Sequence, residues 1–461
     1  MLRIGKKNGQ SIMILTIVLV LFMFVYLPLE KAFQLNTYIT FQFLIIGIVS
    51  AIGMIIESSK YSFTLGMVFW FFCFAFMFCG GLTQFATEAF RWDLKPSLKE
   101  VEITNYLIFI WIIVFSIARK VNIKIKCGSW KKRSIFEQKL YISNTKILFL
   151  TVMLICNGIY TIIVSGWRSL LIREVFSTAG VIGLTNIQSI QMILSTFLRG
   201  FSIWTMMIAL NNLIRIKNKS NIAIFILATI AIGLNVPPSG VARFVLAAAY
   251  GGILIYNCEF LKKGRTLLYI LAVGLLIVFP LLNAFRGIYT TSVNMEFIKQ
   301  SLGNISSNFA KADYDAYTML VYSVRYVSKY GIRHGQQLWG VLLFFIPSSL
   351  WENKPSGSGA MIIEKMASGI NPNVSCPIIA EGFINFGIIG IIIFAFLAGY
   401  ITKRLDLRYW ECWENKNSMG KMIYSFLLLY FLFLCRGDLM STFTYLLGYL
   451  FSAILFRRIV K

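Results

Sequence analysis

The feature that most constrains this chain is a succession of long apolar runs divided by short segments rich in lysine and arginine. Hydrophobic residues make up 57% of the 461 positions and charged residues only 14%, which leaves too little polar surface for a water-soluble fold. A membrane-spanning helix needs about 20 largely apolar residues. Twelve runs predict such helices, near 12–29, 38–56, 62–83, 104–118, 147–165, 191–214, 220–236, 242–256, 266–285, 379–400, 422–435 and 440–456.

A thirteenth apolar segment, 337–350, is interrupted by Pro347. At about 14 residues it is shorter than a spanning helix and is more typical of a re-entrant or interfacial segment. If it did cross the membrane, the basic segment 401–421 and the basic residues at 457–461 would both face outward. The sequence therefore favours a segment that dips into the membrane without crossing it.

The distribution of charge predicts the topology. With a cytoplasmic N-terminus and twelve spans, the segments facing the cytoplasm contain 27 of the 44 lysines and arginines but only six of the 19 acidic residues. This agrees with the positive-inside rule. The predicted fold is therefore all-α and polytopic, with both termini in the cytoplasm and one extracytoplasmic loop, 286–378, between the ninth and tenth helices. The excess of basic residues behind the net charge of +25 then lies near the anionic inner leaflet. We therefore expect the lipid bilayer as a partner, and no nucleic acid.

The large loop of about 93 residues is too long for a simple connection, and such loops are usually functional or separately folded. Its first half, 293–334, is predicted to be mostly helical, with Tyr314 and Arg325 on one helical face. Acidic residues at the start of this helix suit the helix dipole. Alternatively, Asp313 and Asp315 would accept hydrogen bonds from sugar hydroxyls beside flat tyrosine rings, Tyr317 among them.

The loop and the tenth span contain further candidate residues. His334 is the single histidine of the chain, and it either has a structural role or acts as a base or phosphate contact. Glu381, at the top of the tenth span, is the acidic residue least easily explained as a solvated surface group. Gly382 and Gly390 in the same span predict close contact between helices.

Several arginines lie within or at the edge of predicted spans, where a charged group is costly and is usually paired or functional. Arg199 lies within a span, whereas Arg243, Arg286 and Arg436 lie at the outer face. Arginines at span ends can extend toward the lipid headgroups. Three of them on the side that the positive-inside rule disfavours indicate instead a bidentate site for phosphate or pyrophosphate. Asp438 is a candidate ion-pair partner for Arg436.

An ordered series of motifs in the second half of the chain resembles the Wzy-type O-antigen and capsular repeat-unit polymerases. The motifs are NAFRGIY (283–289), DAYTML (315–320), FFIPSSLWENKPSGSG (344–359), NVSCPIIAEGFINFGIIGI (373–391) and RGDLMSTFTY (436–445). The dozen spans and the late outer loop fit this family too. One position departs from its pattern, because Ser348 stands where the family has an arginine. If that arginine contacts phosphate, Lys354 or Arg325 would supply the charge here.

The resemblance implies a reaction on the outer face of the bacterial cytoplasmic membrane. A hydroxyl of one undecaprenyl-pyrophosphate-linked oligosaccharide would attack the anomeric carbon of the growing chain, and undecaprenyl pyrophosphate would leave. A carboxylate or histidine would take the hydroxyl proton, and cations would stabilise the leaving group. The base candidates are Asp313, Asp315, His334 and Glu381. The candidates for binding pyrophosphate are Arg243, Arg286, Arg325, Lys354 and Arg436. The candidates for stacking on sugar are Tyr314, Tyr317 and Trp351.

The resemblance also implies a partner protein that controls chain length. No cofactor is expected, since the pyrophosphate ester is already activated and the sequence has neither a P-loop nor a glycine-rich dinucleotide turn. No metal site is expected either. Two other activities stay open at this point, an O-antigen ligase-like glycosyltransferase and a flippase for the lipid-linked oligosaccharide. A flippase should show internal repeats and unusual charges toward both leaflets, and the sequence shows neither.

Overall fold

A computed structural model describes residues 28–124, 144–170, 188–258 except 239, 266–274, 314–347, 350–367, 374–414 and 418–460. The helices of the first half are α1 (Thr37–Lys60), α2 (Leu65–Thr87), α3 (Leu98–Lys120), α4 (Asn144–Ser165), α5 (Gln188–Arg215), α6 (Lys219–Asn235), α7 (243–257) and α8 (Thr266–Val273). Those of the second half are α9 (Ala316–Tyr330), α10 (Gln336–Leu342), α11 (Ser358–Met366), α12 (Ile378–Arg408), α13 (Met419–Arg436) and α14 (Leu439–Val460).

Eight of the described helices are long and apolar enough to cross a membrane, namely α1, α2, α3, α4, α5, α12, α13 and α14. The chain is therefore a helical, multi-pass membrane protein. Each of these helices coincides with a predicted span. The apolar helix α6 has only 17 residues, and α7 is divided by the π-helical turn Ala247–Gly251. The predicted spans 12–29 and 266–285 lie mostly outside the described residues, so twelve stays a prediction.

Helix α1 shows why these apolar sequences form membrane helices. Ile45, Ile48 and Ile52 recur at helical spacing and are about half exposed, whereas Phe43 and Ile46 on the other face are fully buried. In water such an exposed isoleucine face would be unfavourable, but in a bilayer it faces lipid. The bundle is thus apolar inside and outside, and van der Waals packing, not burial from water, holds its helices together.

Helix α2 lies at the centre of the bundle, since every residue of its most apolar stretch is buried. Its Phe69 ring stacks on Phe115 of α3 with centroids 3.4 Å apart. A π-helical turn, Cys73–Gly80, occupies the middle of α2. Beyond that turn, a Cβ atom at Gly81 would lie 2.7 Å from the Tyr317 ring, so glycine permits the close packing of α9 on α2.

An ion-pair network with little solvent exposure joins the C-terminal ends of three spans. Arg119 of α3 contacts Glu57 of α1 at 2.6 Å and Asp406 of α12 at 2.9 Å. Asp406 also accepts hydrogen bonds from the Tyr424 hydroxyl at 2.7 Å and the Leu65 N–H at 2.8 Å. In the predicted topology this is the cytoplasmic end. Because both carboxylates contact the same guanidinium, Arg119 fixes how these three spans meet.

Helix α12 bends sharply near its start. Phe386 and Gly387 have non-helical backbone angles, and Gly387 has a positive φ of 61°. A Cβ atom at Gly382 would lie 2.8 Å from the carbonyl oxygen of Gly390, although eight residues of straight helix extend about 12 Å. The first two turns of α12, 378–385, therefore fold back against the rest. The close contact predicted for these glycines exists, but it lies within one helix.

Candidate functional site

The predicted residues Asp315 and Arg436 lie in direct contact. Arg436 donates from Nη2 to Asp315 Oδ1 at 2.8 Å. Ser375 donates to the same carboxylate from its hydroxyl at 2.7 Å and from its backbone N–H at 3.3 Å. Asp315 is 3% exposed and makes no capping hydrogen bond to α9. Its carboxylate therefore joins the start of α9 to the end of α13, and helix capping does not explain it.

Glu381 lies on the folded-back turns of α12 and is 1% exposed, in agreement with the expectation that it is not a solvated surface acid. Its Oε2 accepts a hydrogen bond from the Ser358 hydroxyl at 2.7 Å, and its Oε1 accepts one from the Leu439 N–H at 3.0 Å. The glutamate thus connects α12 with the starts of α11 and α14. Both of these partners are neutral groups.

Asp438, between α13 and α14, is held by backbone amides. Oδ2 accepts from the Gly359 N–H at 3.0 Å, and Oδ1 accepts from the Met440 N–H at 3.0 Å. Burial raises the pKa of Asp438, and these N–H donors partly oppose that shift. A Cβ atom at Gly357 would lie 2.7 Å from Oδ2, so only glycine lets the chain before α11 pass this close to the carboxylate.

The three acidic side chains form one neighbourhood around Cys376. Burial raises the pKa of the Cys376 thiol, and the negative charges of Glu381, Asp438 and Asp315 raise it further. Gathering three carboxylates where water is excluded is costly, and in membrane proteins such groups usually mark a functional site. We call Asp315, Ser358, Ser375, Glu381, Arg436 and Asp438 the carboxylate cluster.

The predicted residue Arg243 begins helix α7, and the next residue of that helix, Phe244, packs beside Arg436. The Arg436 guanidinium is 4.9 Å from the centre of the Phe244 ring, and Phe244 stacks on Phe433 of α13 at 5.6 Å. Arg243 itself is 6% exposed at the start of α7. Two of the predicted outer arginines are thus placed at adjoining helix ends next to the cluster.

An open cavity of about 820 Å³ lies beside the carboxylate cluster. The short segment 355–359 separates the two, since Pro355 and Ser356 line the cavity while the adjacent residues Ser358 and Gly359 contact cluster carboxylates. Most of the remaining wall comes from α10 and from the turn that follows it. The cavity is lined by Arg333, Gln336, Gln337, Trp339, Leu343, Trp351, Glu352, Asn353, Lys354, Pro355, Ser356, Met361 and Lys365.

Lys354 and Trp351, predicted to contact substrate, both line this cavity. Lys354 donates from Nζ to the carbonyl oxygens of Phe344 and Ile346 at 2.7 and 2.8 Å, and desolvation lowers its pKa. It therefore closes the turn after α10, in the segment predicted to dip into the membrane. That turn presents Phe345 at 56% exposure, an apolar side chain suited to a lipid surface.

Arg325 is engaged elsewhere. It forms a bidentate pair with Glu100 of α3, at 2.6 Å from Nε and 2.7 Å from Nη2, and it also donates to the Lys95 carbonyl at 2.7 Å. The hydrogen bond with Glu100 raises the pKa of Arg325. This arginine anchors α9 to α3 and is not among the residues that line the cavity. Ser348 lies outside the described residues, so a role of Arg325 in place of the missing arginine stays a prediction.

The stacking role expected of Tyr314 and Tyr317 does not agree with their placement. The Tyr314 ring packs on Phe76 with centroids 5.2 Å apart, and the Tyr317 ring packs on Phe43 at 5.4 Å. Both side chains are buried, at 3% and 0% exposure, and the Tyr317 hydroxyl donates to Asn105 at 2.9 Å. These rings pack within the bundle and are not among the residues that line the cavity.

Three predicted residues remain, of which only His334 lies within the described residues. His334 is exposed and has a positive φ of 49°, and its neighbours Arg333 and Gln336 line the cavity. Asp313 and Arg286 lie outside the described residues.

In the part of the chain that the structure describes, no group of three or more histidine, cysteine or acidic side chains is placed to hold a metal ion.

Several residues at the site were not singled out from the sequence. Ser358 and Ser375 bind cluster carboxylates, and both lie inside motifs quoted above. Arg333, Trp339 and Lys365 line the cavity. The position of Arg333 directly before the candidate residue His334 could have identified it as a site residue. Nothing in the local sequence distinguishes Lys365 from a solvated lysine.

Comparison with known proteins gives no relative. No protein-family model matches the sequence, no curated protein matches it, and no solved structure matches the fold. Fold and site together define a multi-pass helical membrane protein with a buried cluster of acidic residues next to an open, basic cavity.

Proposed function

We propose that this protein is a bacterial inner-membrane glycosyltransferase that polymerises undecaprenyl-pyrophosphate-linked oligosaccharide repeat units on the outer face of the membrane. One observation carries the proposal: four of the motifs that resemble the repeat-unit polymerases, those with described residues, converge in space. Asp315 and Arg436, 121 residues apart, are in contact, and Glu381 and Asp438 lie beside them. A cavity large enough for a sugar lies next to them, lined by Trp339 and Trp351.

In the proposed reaction the acceptor hydroxyl oxygen bonds to the anomeric carbon of the donor as the bond from that carbon to pyrophosphate breaks. The hydroxyl proton passes to a carboxylate, and undecaprenyl pyrophosphate departs with the bonding electrons. Arg436 and Arg243, with Arg286 beyond the described residues, stabilise the negative charge that develops on the leaving group. The sugar is already activated, so the protein contributes position, charge and a proton acceptor.

Glu381 is the proposed proton acceptor. Asp315 is engaged by the guanidinium of Arg436, whereas Glu381 accepts hydrogen bonds from the Ser358 hydroxyl and a backbone N–H. Ser358 lies in the segment between Glu381 and the cavity. A substrate hydroxyl in the cavity would therefore reach Glu381 through Ser358, whose own proton moves to the carboxylate as it accepts the next one.

The test is deletion of the gene in its own host, followed by electrophoresis of the surface polysaccharide. A polymerase predicts that the ladder collapses to a single repeat unit, which is still exported and attached. Loss of all surface repeats, with material retained on lipid, would indicate a flippase or ligase instead. An unchanged ladder would contradict the proposal.

Complementation then tests the assigned residues. Glu381→Gln and Arg436→Gln should fail to restore the ladder at normal protein level. Arg404→Gln, an exposed residue at the other end of α12, is the matched control and should restore it. A proposed partner that regulates chain length would affect the modal length of the ladder but not its existence.

A further inference from the structure

The charge and surface of the cavity indicate what kind of ligand it takes. Among the described residues, Arg333, Lys354 and Lys365 line it together with one acidic residue, Glu352, so this wall carries excess positive charge. Trp339 is 59% exposed, and with Trp351 it offers indole surface of the kind that covers the C–H faces of sugars. A site with both features suits a ligand that has an anionic group and an apolar ring face.

Two of the three cations already have partners. Lys354 is bound to two carbonyl oxygens, and the Lys365 ammonium lies 5.1 Å from the centre of the Tyr330 ring, in cation–π contact. Arg333 differs, because its Nε has no hydrogen-bond partner and no ion pair with it exists among the described residues. Its guanidinium is the cavity cation available for a bidentate contact with an anion.

The fold fixes the backbone of Arg333. Its N–H donates to the carbonyl oxygen of Ile384 at 2.8 Å, on the same folded-back turns of α12 that carry Glu381. Gly335 nearby has a φ of +81°, and a Cβ atom there would lie 2.9 Å from the Phe386 ring. Arg333 is thus held in a defined position relative to the carboxylate cluster, as a binding site requires.

Gln337 supplies the second indication. It lines the cavity and is 3% exposed, and its Oε1 has no hydrogen-bond partner. The orientation of the amide follows from Met361, since the thioether sulfur can only accept and Gln337 donates to it from Nε2 at 2.8 Å. An unsatisfied acceptor beneath the cavity wall is unfavourable, because it has lost its hydrogen bond to water without gaining another. A ligand with a hydroxyl donor would satisfy it.

We infer that the cavity is a saccharide subsite that selects an acidic sugar, whose carboxylate binds Arg333 and one of whose hydroxyls donates to Gln337. The saccharide nature of the ligand rests on the proposed function, whereas the requirement for an anion and a donor rests on the cavity itself. Pyrophosphate fits less well. At neutral pH it is mainly an acceptor and offers little to the Gln337 oxygen, and it has no ring face for Trp339 or Trp351.

The experiment is direct binding to the full chain in lipid nanodiscs, measured by calorimetry with three probes. They are a glucuronate-containing disaccharide, the same disaccharide with the glucuronate reduced to glucose, and inorganic pyrophosphate. The acidic disaccharide should bind, and the reduced one should bind about tenfold or more weakly, because a hydrogen bond to a charged group is lost. Arg333→Gln should weaken binding of the acidic disaccharide to the level of the reduced one. Arg404→Gln should not.

Gln337→Leu separates a binding role from a structural one. The leucine removes the buried acceptor that has no partner together with one hydrogen bond to the weak thioether acceptor of Met361, so the melting temperature should change little. Binding of both disaccharides should nevertheless weaken several-fold. A fall in melting temperature with unchanged affinity would show that Gln337 serves only the fold and would overturn its assignment.

Three other results would overturn the inference. These are equal binding of both disaccharides, binding of neither, or displacement of the acidic disaccharide by pyrophosphate from a site that Arg333→Gln abolishes. The last would make the cavity the leaving-group site. Because the assay requires no turnover, its failure is distinct from that of the proposed function, which the polysaccharide ladder tests separately.

Discussion

The contact between Asp315 and Arg436 gives a prediction that separates stability from activity. The two side chains are 4% and 12% exposed and 2.8 Å apart. Removal of one member of a buried ion pair leaves the other uncompensated and typically costs about 3–5 kcal/mol. Asp315 would keep its two hydrogen bonds from Ser375, so Arg436→Met is expected at the lower end, about 3 kcal/mol.

The double variant Asp315→Asn/Arg436→Met should lose less unfolding free energy than the sum of the losses of the two single variants. In the double variant neither position 315 nor position 436 carries a charge that has lost its partner, and we expect a coupling of about 2 kcal/mol between the two positions. The assay is unfolding of the purified protein in mixed micelles with an increasing fraction of sodium dodecyl sulfate. Arg404→Met is the control and should change stability by less than about 0.5 kcal/mol.

The same variants then report on activity. If the pair is part of the site, the double variant should fold and reach the membrane but fail to restore a polysaccharide ladder. If the loss in unfolding free energy of the double variant equals the sum of the losses of the two single variants, within about 0.5 kcal/mol, the energetic reasoning is refuted. A stable double variant with a full ladder would show that the pair serves the fold alone.

Four further changes have defined outcomes. Gly357→Ala, whose Cβ would lie 2.7 Å from Asp438, should lower the melting temperature and abolish the ladder, whereas Gly233→Ala, with nothing within 4 Å, should do neither. Burial raises the folded pKa of Asp438 above its unfolded value, so its contribution is stabilising below about pH 4 and is lost as pH rises through the raised pKa. Asp438→Asn should therefore flatten the dependence of melting temperature on pH over that interval, and an unchanged profile would contradict this. Arg119→Met leaves buried Asp406 and partly buried Glu57 without their shared cation and should cost about 3–5 kcal/mol; a loss below about 1 kcal/mol in detergent unfolding would be the contrary result. Lys354→Cys, in a background without other cysteines, should react with a membrane-impermeant thiol reagent from outside the cell, and labelling only from the cytoplasm would overturn the topology.

The sequence predicted the apolar helices well because a membrane span is a local property. About 20 apolar residues are sufficient to specify it, and the run 38–56 became α1, Thr37–Lys60, with only its ends displaced. The fold-back at Phe386 and Gly387 was not predicted. The apolar run continues through it, so composition alone could not distinguish a bent helix from a straight one.

The site was predicted less completely because it depends on contacts between distant segments. The burial of Glu381 could be anticipated from its position in an apolar run, and Arg436 from its cost at membrane depth. How the helices pack determines that Arg436 contacts Asp315, while Arg325 contacts Glu100 in the first turn of α3. Tyr317 shows the same limit, since periodicity identifies a helical face but not what covers it.

The most direct test of the central claim is polymerisation by the purified protein. The full chain would be reconstituted in vesicles with the undecaprenyl-pyrophosphate-linked repeat unit of its host, and the lipid extract would be separated by chain length. The proposed function predicts lipid-linked oligomers of two or more repeat units, released undecaprenyl pyrophosphate in equal number to the new bonds, and neither product with Glu381→Gln. Unchanged monomer, under conditions where the protein is folded and binds the lipid-linked unit, would contradict it.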